Sequence, residues 1–257
     1  MGALSGKTAL VTGGGRGIGR AISERLGRDG ARVGVHYASD ETAAKETVAA
    51  IEAAGGEAFT VRAELGVPGD AEALWSAFDA QADGLDILVN NAGINKALDG
   101  TLRPFEAITR GDIEHLFAVN ATAPFFVIQE GLSRLRDGGR IINVSTGLTR
   151  SAAKSDLIAY AMSKGPIDIL TSSLAQELGP RGITVNAVAP GAVDTDMNAA
   201  WLRGEGNAEA RTATGARSPL GRVADPTDIG DLVGFLASND SRWVTGQWID
   251  ATGGALL

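Results

Sequence analysis

Cysteine is absent from this 257-residue chain, and histidine occurs only twice, at His36 and His115. The first absence excludes disulfides and thiolate metal sites and suits a reducing compartment. The second leaves histidine triads and His-rich metal centres with little to stand on, because the two residues lie far from each other and from the motifs described below. No metal is expected. No apolar run approaches the roughly 20 residues of a membrane span. The opening MGALSGKTALV has neither a long apolar core nor a cleavage site, and Gly6 stands where a myristoylation signal needs Ser or Thr. Basic charge is scarce too: 23 Lys and Arg against 31 Asp and Glu give a net charge of −8. That balance counts against nucleic acid, whose phosphates need a basic face. A cytoplasmic protein with no membrane and no nucleic-acid partner is expected.

What is present is an alternation. Strand-like runs at Thr8–Val11, Arg32–Val35, Ala58–Val61, Ile87–Val89, Ile141–Val144, Thr184–Val188 and Gln247–Ile249 are separated by helical stretches. The helices include Glu41–Ala54, Ala71–Ala82, Ile113–Leu135, Ile158–Leu178 and Pro226–Ala237. This order predicts right-handed crossovers and a parallel sheet of about seven strands covered on both faces, a Rossmann-like, doubly wound α/β fold. A hydrophobic content of 44% fills such a core, and 35 glycines without a collagen-like period suit its many strand–helix turns. One continuous domain over 1–257 is expected.

Two motifs carry chemistry. After the first strand, TGGGRGIG at residues 12–19 leads into a helical pattern with Ile18, Ala21, Ile22 and Leu26. A strand, a glycine turn and a helix N-terminus make an anion site, because unpaired N–H groups and the helix dipole face the phosphates. Gly13, Gly17 and Gly19 serve a tight turn, close backbone approach and close helix–strand packing. Further on, AYAMSK places Tyr160 and Lys164 about one helical turn apart on one face. A free phenol with a pKa of about 10 is a poor acid or base at neutral pH, and a nearby ammonium favours its ionisation.

Thr12–Gly19, Asn90-Asn91-Ala92-Gly93, Asn120, Ser145-Thr146, Tyr160-Ala161-Met162-Ser163-Lys164 and Pro190-Gly191 followed by Thr195 resemble, in order and spacing, the motifs of the classical short-chain dehydrogenase/reductases. The resemblance spans nearly the whole chain. It implies hydride transfer between a nicotinamide cofactor and a carbonyl or alcohol small molecule. Tyr160 would be the proton donor or acceptor, and Lys164 would hold the nicotinamide ribose and lower the phenol pKa. Asn120 would bind a water leading to solvent. Gly13, Arg16, Gly17, Ile18 and Gly19 would hold the phosphates, Glu64 and Leu65 the adenine, Asn91, Ala92 and Gly93 the ribose, and Pro190, Gly191, Val193 and Thr195 the carboxamide. Asn90 has a structural role, tying neighbouring strands, as its alternative. A homo-oligomer, a tetramer by family resemblance, is implied by the helices at 113–135 and 158–178.

The second strand ends in His36-Tyr37-Ala38-Ser39, with Tyr37 where NAD-preferring relatives carry Asp. With Arg16 in the glycine turn and a donor at Ser39, NADP(H) is expected. NAD(H) stays open through Asp40, which a shifted strand end would bring close. The family serine falls thirteen residues before the tyrosine, a position held here by Gly147. Counting along the fifth strand instead puts Thr146 in its place and an extra residue between Gly147 and Leu157, because a loop absorbs an insertion more easily than a buried strand. Pro166 stands inside the active-site helix, two residues past Lys164, and should kink it or leave the Met162 carbonyl to another donor.

The segment at about 196–219 falls where the family has its substrate lid and offers Met197, Trp201 and Leu202 beside Arg203, Arg211 and Arg217. With STGLT, it resembles reductases of polyhydroxylated naphthalenes and suggests a bulky or cyclic ketone. Gln176 and Glu177 stand where acyl-carrier-protein reductases usually have docking arginines, which lowers that reading. An NADPH-dependent carbonyl reductase is the leading expectation. An NAD-dependent alcohol dehydrogenase and a catalytically silent nucleotide-binding scaffold are the alternatives.

Overall fold

The computed structural model describes residues 2–204 and 206–257. Seven strands, β1 (Thr8–Val11), β2 (Arg32–Tyr37), β3 (Glu57–Arg62), β4 (Leu85–Asn90), β5 (Leu135–Val144), β6 (Thr184–Pro190) and β7 (Trp248–Ala251), form one sheet in the order β3-β2-β1-β4-β5-β6-β7. Every pairing is parallel. The helices are α1 (Gly17–Arg28), α2 (Glu41–Ala53), α3 (Asp70–Asp79), α4 (Arg110–Phe117), α5 (Ala123–Gly131), α6 (Ile158–Leu178), α7 (Ala199–Leu202), α8 (Ala208–Gly215) and α9 (Pro226–Ala237).

Strand alternation sorts the core into two layers. Ala9, Val11, Ile87, Val89, Ile142 and Val144 pack with Ile22 and Leu26 of α1 and with Ile229, Val233 and Leu236 of α9. Leu10, Leu88, Ile141 and Val185 point the other way, onto Leu74, Trp75 and Phe78 of α3, Val127 of α5 and Leu178 of α6. The inner strands β1, β2, β4 and β6 are buried on both faces and read as near-continuous apolar runs, which made them the plainest in the sequence. The chain reverses its direction of winding after α3, when β4 returns to pair with β1. A ligand crevice opens at such a switch point, beyond the carboxyl ends of the strands.

Two helices depart from expectation. The continuous helix expected over Ile113–Leu135 is instead α4, a π turn at Ala118–Thr122, and α5, with β5 already starting at Leu135. The Ala123 amide donates to Ala118, one residue beyond α spacing, and Pro124 next in line has no N–H for the Asn120 carbonyl. In α6 the chain stays helical through Pro166. Met162 and Pro166 both lie on its exposed face, away from the sheet it packs on. Gly165 also lacks the Cβ that the proline ring would crowd.

Candidate active site

The glycine turn closes against its neighbours without room for side chains. A Cβ on Gly19 would collide with the Gly13 carbonyl oxygen and stand 2.6 Å from Asn91 Nδ2. Gly13 and Gly17 have φ of +62° and +53°, in the left-handed region that glycine occupies without strain. Thr12 anchors the turn from below: its hydroxyl accepts the Asn91 and Ala92 amides at 2.9 and 3.0 Å. Asn91 Nδ2 returns the contact, donating to the carbonyls of Thr12 and Gly13 at 2.9 and 3.1 Å. Thus β1 and β4 are laced together where they part.

Helix α1 is built to receive an anion. Helices α2 and α4 are capped by Asp40 and Thr109, the latter in a full capping box, and at the start of α9 the Asp225 amide donates to Asp228 Oδ2 at 2.8 Å. Helix α1 has no capping side chain and no acidic residue in its first turn. Its leading N–H groups and positive dipole end therefore face the crevice. Across it, Thr195 approaches so closely that a Cβ on Gly17 would lie 3.3 Å from Thr195 Cγ2. Arg16 is exposed and makes no side-chain hydrogen bond or ion pair among the described residues. Ala38, Ser39 and Glu64 are exposed near it at the ends of β2 and β3, with Tyr37 and Leu65 half-buried. Asp40 is occupied, accepting the Ala43 amide at 3.0 Å as the α2 cap. The cleft, with its small turn, uncapped helix and free cation, fits a dinucleotide diphosphate.

The other half of the crevice gathers Asn120, Thr146, Tyr160 and Lys164. Lys164 is buried at 4% exposure, and its Nζ donates to the Val144 carbonyl at 2.8 Å. Burial pushes its pKa down to about 8, opposed by the charge of Asp168 one turn later. Burial pushes the Tyr160 phenol up to about 12, and a hydrogen bond with the Thr146 side chain acts against this. Lys164 was expected to depress that phenol. In this geometry desolvation dominates, and Thr146 supplies the opposing contact. A Cβ on Gly93 would come within 3.0 Å of Asn120 Oδ1 and 3.1 Å of Lys164 Nζ, so the segment just after β4, the lysine and the asparagine meet there.

The adjacent hydroxyls have separate partners. Thr146 Oγ1 accepts the Leu148 amide at 3.3 Å and lies close enough to the phenol to lower its pKa, whereas Ser145 Oγ donates to Asp168 at 2.6 Å. From Arg140 to Val144 β5 stays in register with β6, and residues 147–157 hold only two short 3₁₀ turns and irregular loop. Asn120 spends its side chain on structure: Nδ2 donates to the Ile94 carbonyl and to Ser163 Oγ, both at 2.8 Å, and Oδ1 accepts the Ile94 amide at 2.9 Å. A water there would be left with its backbone carbonyl, at the π turn. Asn90 Nδ2 donates to Asn143 Oδ1 at 2.9 Å, joining β4 to β5 as its structural alternative requires.

Pro190 ends β6, and the loop after it holds Gly191, Val193 and Thr195, with Val193 and Thr195 buried. Asp194 between them is gripped by Arg203 at 2.6 Å and Arg211 at 2.5 Å, so two of the three arginines of 196–219 are committed to ion pairs. Sequence reasoning missed Thr12, His36, Ser163 and Asp168 as parts of the site. Asp168 was marked only by its helical spacing from Lys164, and His36 only by its place as a polar residue in an apolar strand.

Comparison with known proteins places this geometry. A family model described as enoyl-(acyl carrier protein) reductase matches residues 13–255. A hydroxynaphthalene reductase-like protein of Metarhizium brunneum is 40% identical, covering 98% of this chain and 96% of its own. The crystal structure of the angucycline C-6 ketoreductase LanV with bound NADP has a TM-score of 0.91 at 49% identity, covering 99% of this chain and 97% of that one. The promiscuous reductase LugOII, which catalyses keto-reduction at C1 during lugdunomycin biosynthesis, has a TM-score of 0.89 at 47% identity, covering 99% of this chain and all of the other. No helix among the described residues is long and apolar enough to cross a membrane. The chain is an oxidoreductase belonging to the short-chain dehydrogenase/reductase family.

Proposed function

We propose that this protein is an NADPH-dependent carbonyl reductase acting on a bulky or cyclic ketone. The observation that carries the reading is the joint placement of Tyr160, Thr146 and Lys164 across the crevice from an uncapped glycine-turn helix. Bound NADPH supplies the hydride. The chain's residues manage the oxygen and its proton. Thr146 donates to the substrate oxygen and steadies its growing charge, and Tyr160 delivers the proton to that oxygen. A phenol kept protonated at neutral pH is a proton donor, the form that reduction needs. Lys164 holds the nicotinamide ribose from a buried position, with Asn120 fixing the wall beside it. Val193 and Thr195 align the carboxamide.

Preference for NADPH over NADH is supported by Arg16, exposed and uncommitted, and by Asp40, whose carboxylate is engaged as a helix cap. LanV, with NADP bound, and the hydroxynaphthalene reductase-like relative support both cofactor and substrate class. We place the lid at 196–219, pinned by Asp194, and the protein in the cytoplasm. Exposed Phe125, Phe126, Met162 and Ile169 on α5 and α6 support homo-oligomer formation, a tetramer by family analogy. The test is a panel of mono- and polycyclic ketones with NADPH or NADH, following loss of reduced-cofactor absorbance. Turnover of cyclic ketones with kcat/KM at least about tenfold higher for NADPH, roughly 1.4 kcal/mol, is expected. Equal use of both cofactors overturns the preference, and no turnover with any ketone overturns the activity.

A further inference from the structure

His36 is 2% exposed, and both nitrogens of its ring are engaged. Nδ1 accepts the Gly13 amide at 2.9 Å, so the ring proton resides on Nε2, which faces the Ala63 carbonyl at 3.0 Å. The backbone around it repeats the connection. The His36 carbonyl accepts the Gly14 amide at 2.9 Å, and the Ala63 amide donates to Tyr37 at 3.1 Å. One imidazole therefore joins three segments that are distant in sequence: the glycine turn, the end of β2 and the end of β3. Residues next to each contact are those read above as cofactor-binding, namely Arg16–Gly19, Tyr37–Ser39 and Glu64–Leu65.

A histidine that only filled space between strands would have no need for this pattern. The β1–β2 and β2–β3 ladders are complete without it, running from Thr8↔Arg32 to Val11↔Val35 and from Arg32↔Glu57 to Tyr37↔Arg62. Gly13 lies beyond the end of the β1 ladder, at φ +62°, where no neighbouring strand supplies its amide with a partner. The imidazole supplies it. Because burial holds the ring well below its ordinary pKa, at about 4, the accepting nitrogen is unprotonated at neutral pH.

We propose that His36 is a positioning residue for the adenosine-phosphate half of NADPH, holding the glycine turn at a fixed height above the ends of β2 and β3. The proposal rests on the reading that the chain binds NADPH in this crevice. The catalytic groups just after β5 and on α6 have no hydrogen bond to His36, so its loss should weaken cofactor binding and spare the chemical step.

The test is equilibrium binding, without ketone, of NADPH and of adenosine 2′,5′-bisphosphate, which presents the proposed half-site alone. Asparagine places an oxygen where Nδ1 stands and keeps the acceptor for Gly13. Glutamine places a nitrogen near Nε2 and keeps only the contact to Ala63. His36→Leu should weaken both ligands by about tenfold or more and His36→Gln by nearly as much, with His36→Asn staying within about threefold of wild type. At saturating NADPH, kcat of the three should remain within about threefold. If His36→Leu does not fold, the Asn-over-Gln order alone decides the matter. Wild-type affinity in both His36→Gln and His36→Leu would overturn the proposal, as would a kcat loss as large as the loss in binding. Failure of the wild type itself to bind either ligand would instead remove the NADPH reading beneath it.

Discussion

Thr146 and Ser145 are neighbours with the same functional group, and the structure assigns them different work. Thr146→Ala removes the hydroxyl that acts on the Tyr160 phenol pKa and that we assign to the substrate oxygen. Loss of one preorganised donor to a developing oxyanion costs about 10²–10³ in kcat, roughly 2.7–4 kcal/mol. Thr146→Ser keeps the donor and gives up one methyl, so it should stay within about tenfold of wild type. Ser145→Ala removes the donor to Asp168 at 2.6 Å and leaves that carboxylate short of a partner beside the buried Lys164. Its cost should fall on stability, about 1–3 kcal/mol, with a smaller loss of turnover. Steady-state kcat with NADPH and an accepted ketone, measured beside urea denaturation, separates the two effects. If Ser145→Ala proved the more damaging to kcat, the strand register that faces Thr146 to the phenol would be refuted, and the extra residue would lie before position 146.

Three further outcomes are expected. The folded pKa of His36, about 4, lies below its ordinary value of 6.5, so between those limits the unfolded chain binds a proton that the native ring refuses. The ring's contribution is complete above about pH 6.5 and falls by about 3 kcal/mol as pH drops toward 4; urea midpoints from pH 7 to 4.5 should decline more steeply for wild type than for His36→Asn, and parallel curves would contradict this. Gly19→Ala should abolish measurable NADPH binding and lower Tm, because its Cβ would overlap the Gly13 carbonyl and crowd Asn91; unchanged affinity by fluorescence titration would refute the tight turn. Pro166→Ala should raise stability by about 1–3 kcal/mol, restoring a donor for the Met162 carbonyl with little change in kcat, and a lower Tm would show that the proline is favourable where it stands.

The strands and the glycine turn were legible because their signals are local: apolar runs of the right length, and glycines where a strand meets a helix. The break at Ala118–Thr122 was not, since the apolar pattern of Ile113–Leu135 continues through it and Pro124 was its one visible mark. His36 was set aside as remote from the motifs. Yet its partners lie 23 and 27 residues away, brought together only by the pairing of β1 with β2 and β2 with β3. Strand order is a tertiary fact, and contacts that depend on it do not appear in any window of sequence. Likewise, the effect of Lys164 on the phenol was inferred from helical spacing and from family resemblance. Spacing carries no information on desolvation, which governs both groups in the fold.

The central claim is that Tyr160 delivers the proton that completes carbonyl reduction. Its most direct test is kcat of Tyr160→Phe with NADPH and an accepted ketone, with NADPH affinity measured on the same sample. The ring still packs and only the hydroxyl is lost, so affinity should be nearly unchanged, while turnover should fall by roughly 10²–10⁴-fold. A variant that binds NADPH normally and keeps more than about a tenth of wild-type kcat would contradict the assignment of Tyr160 as the proton donor.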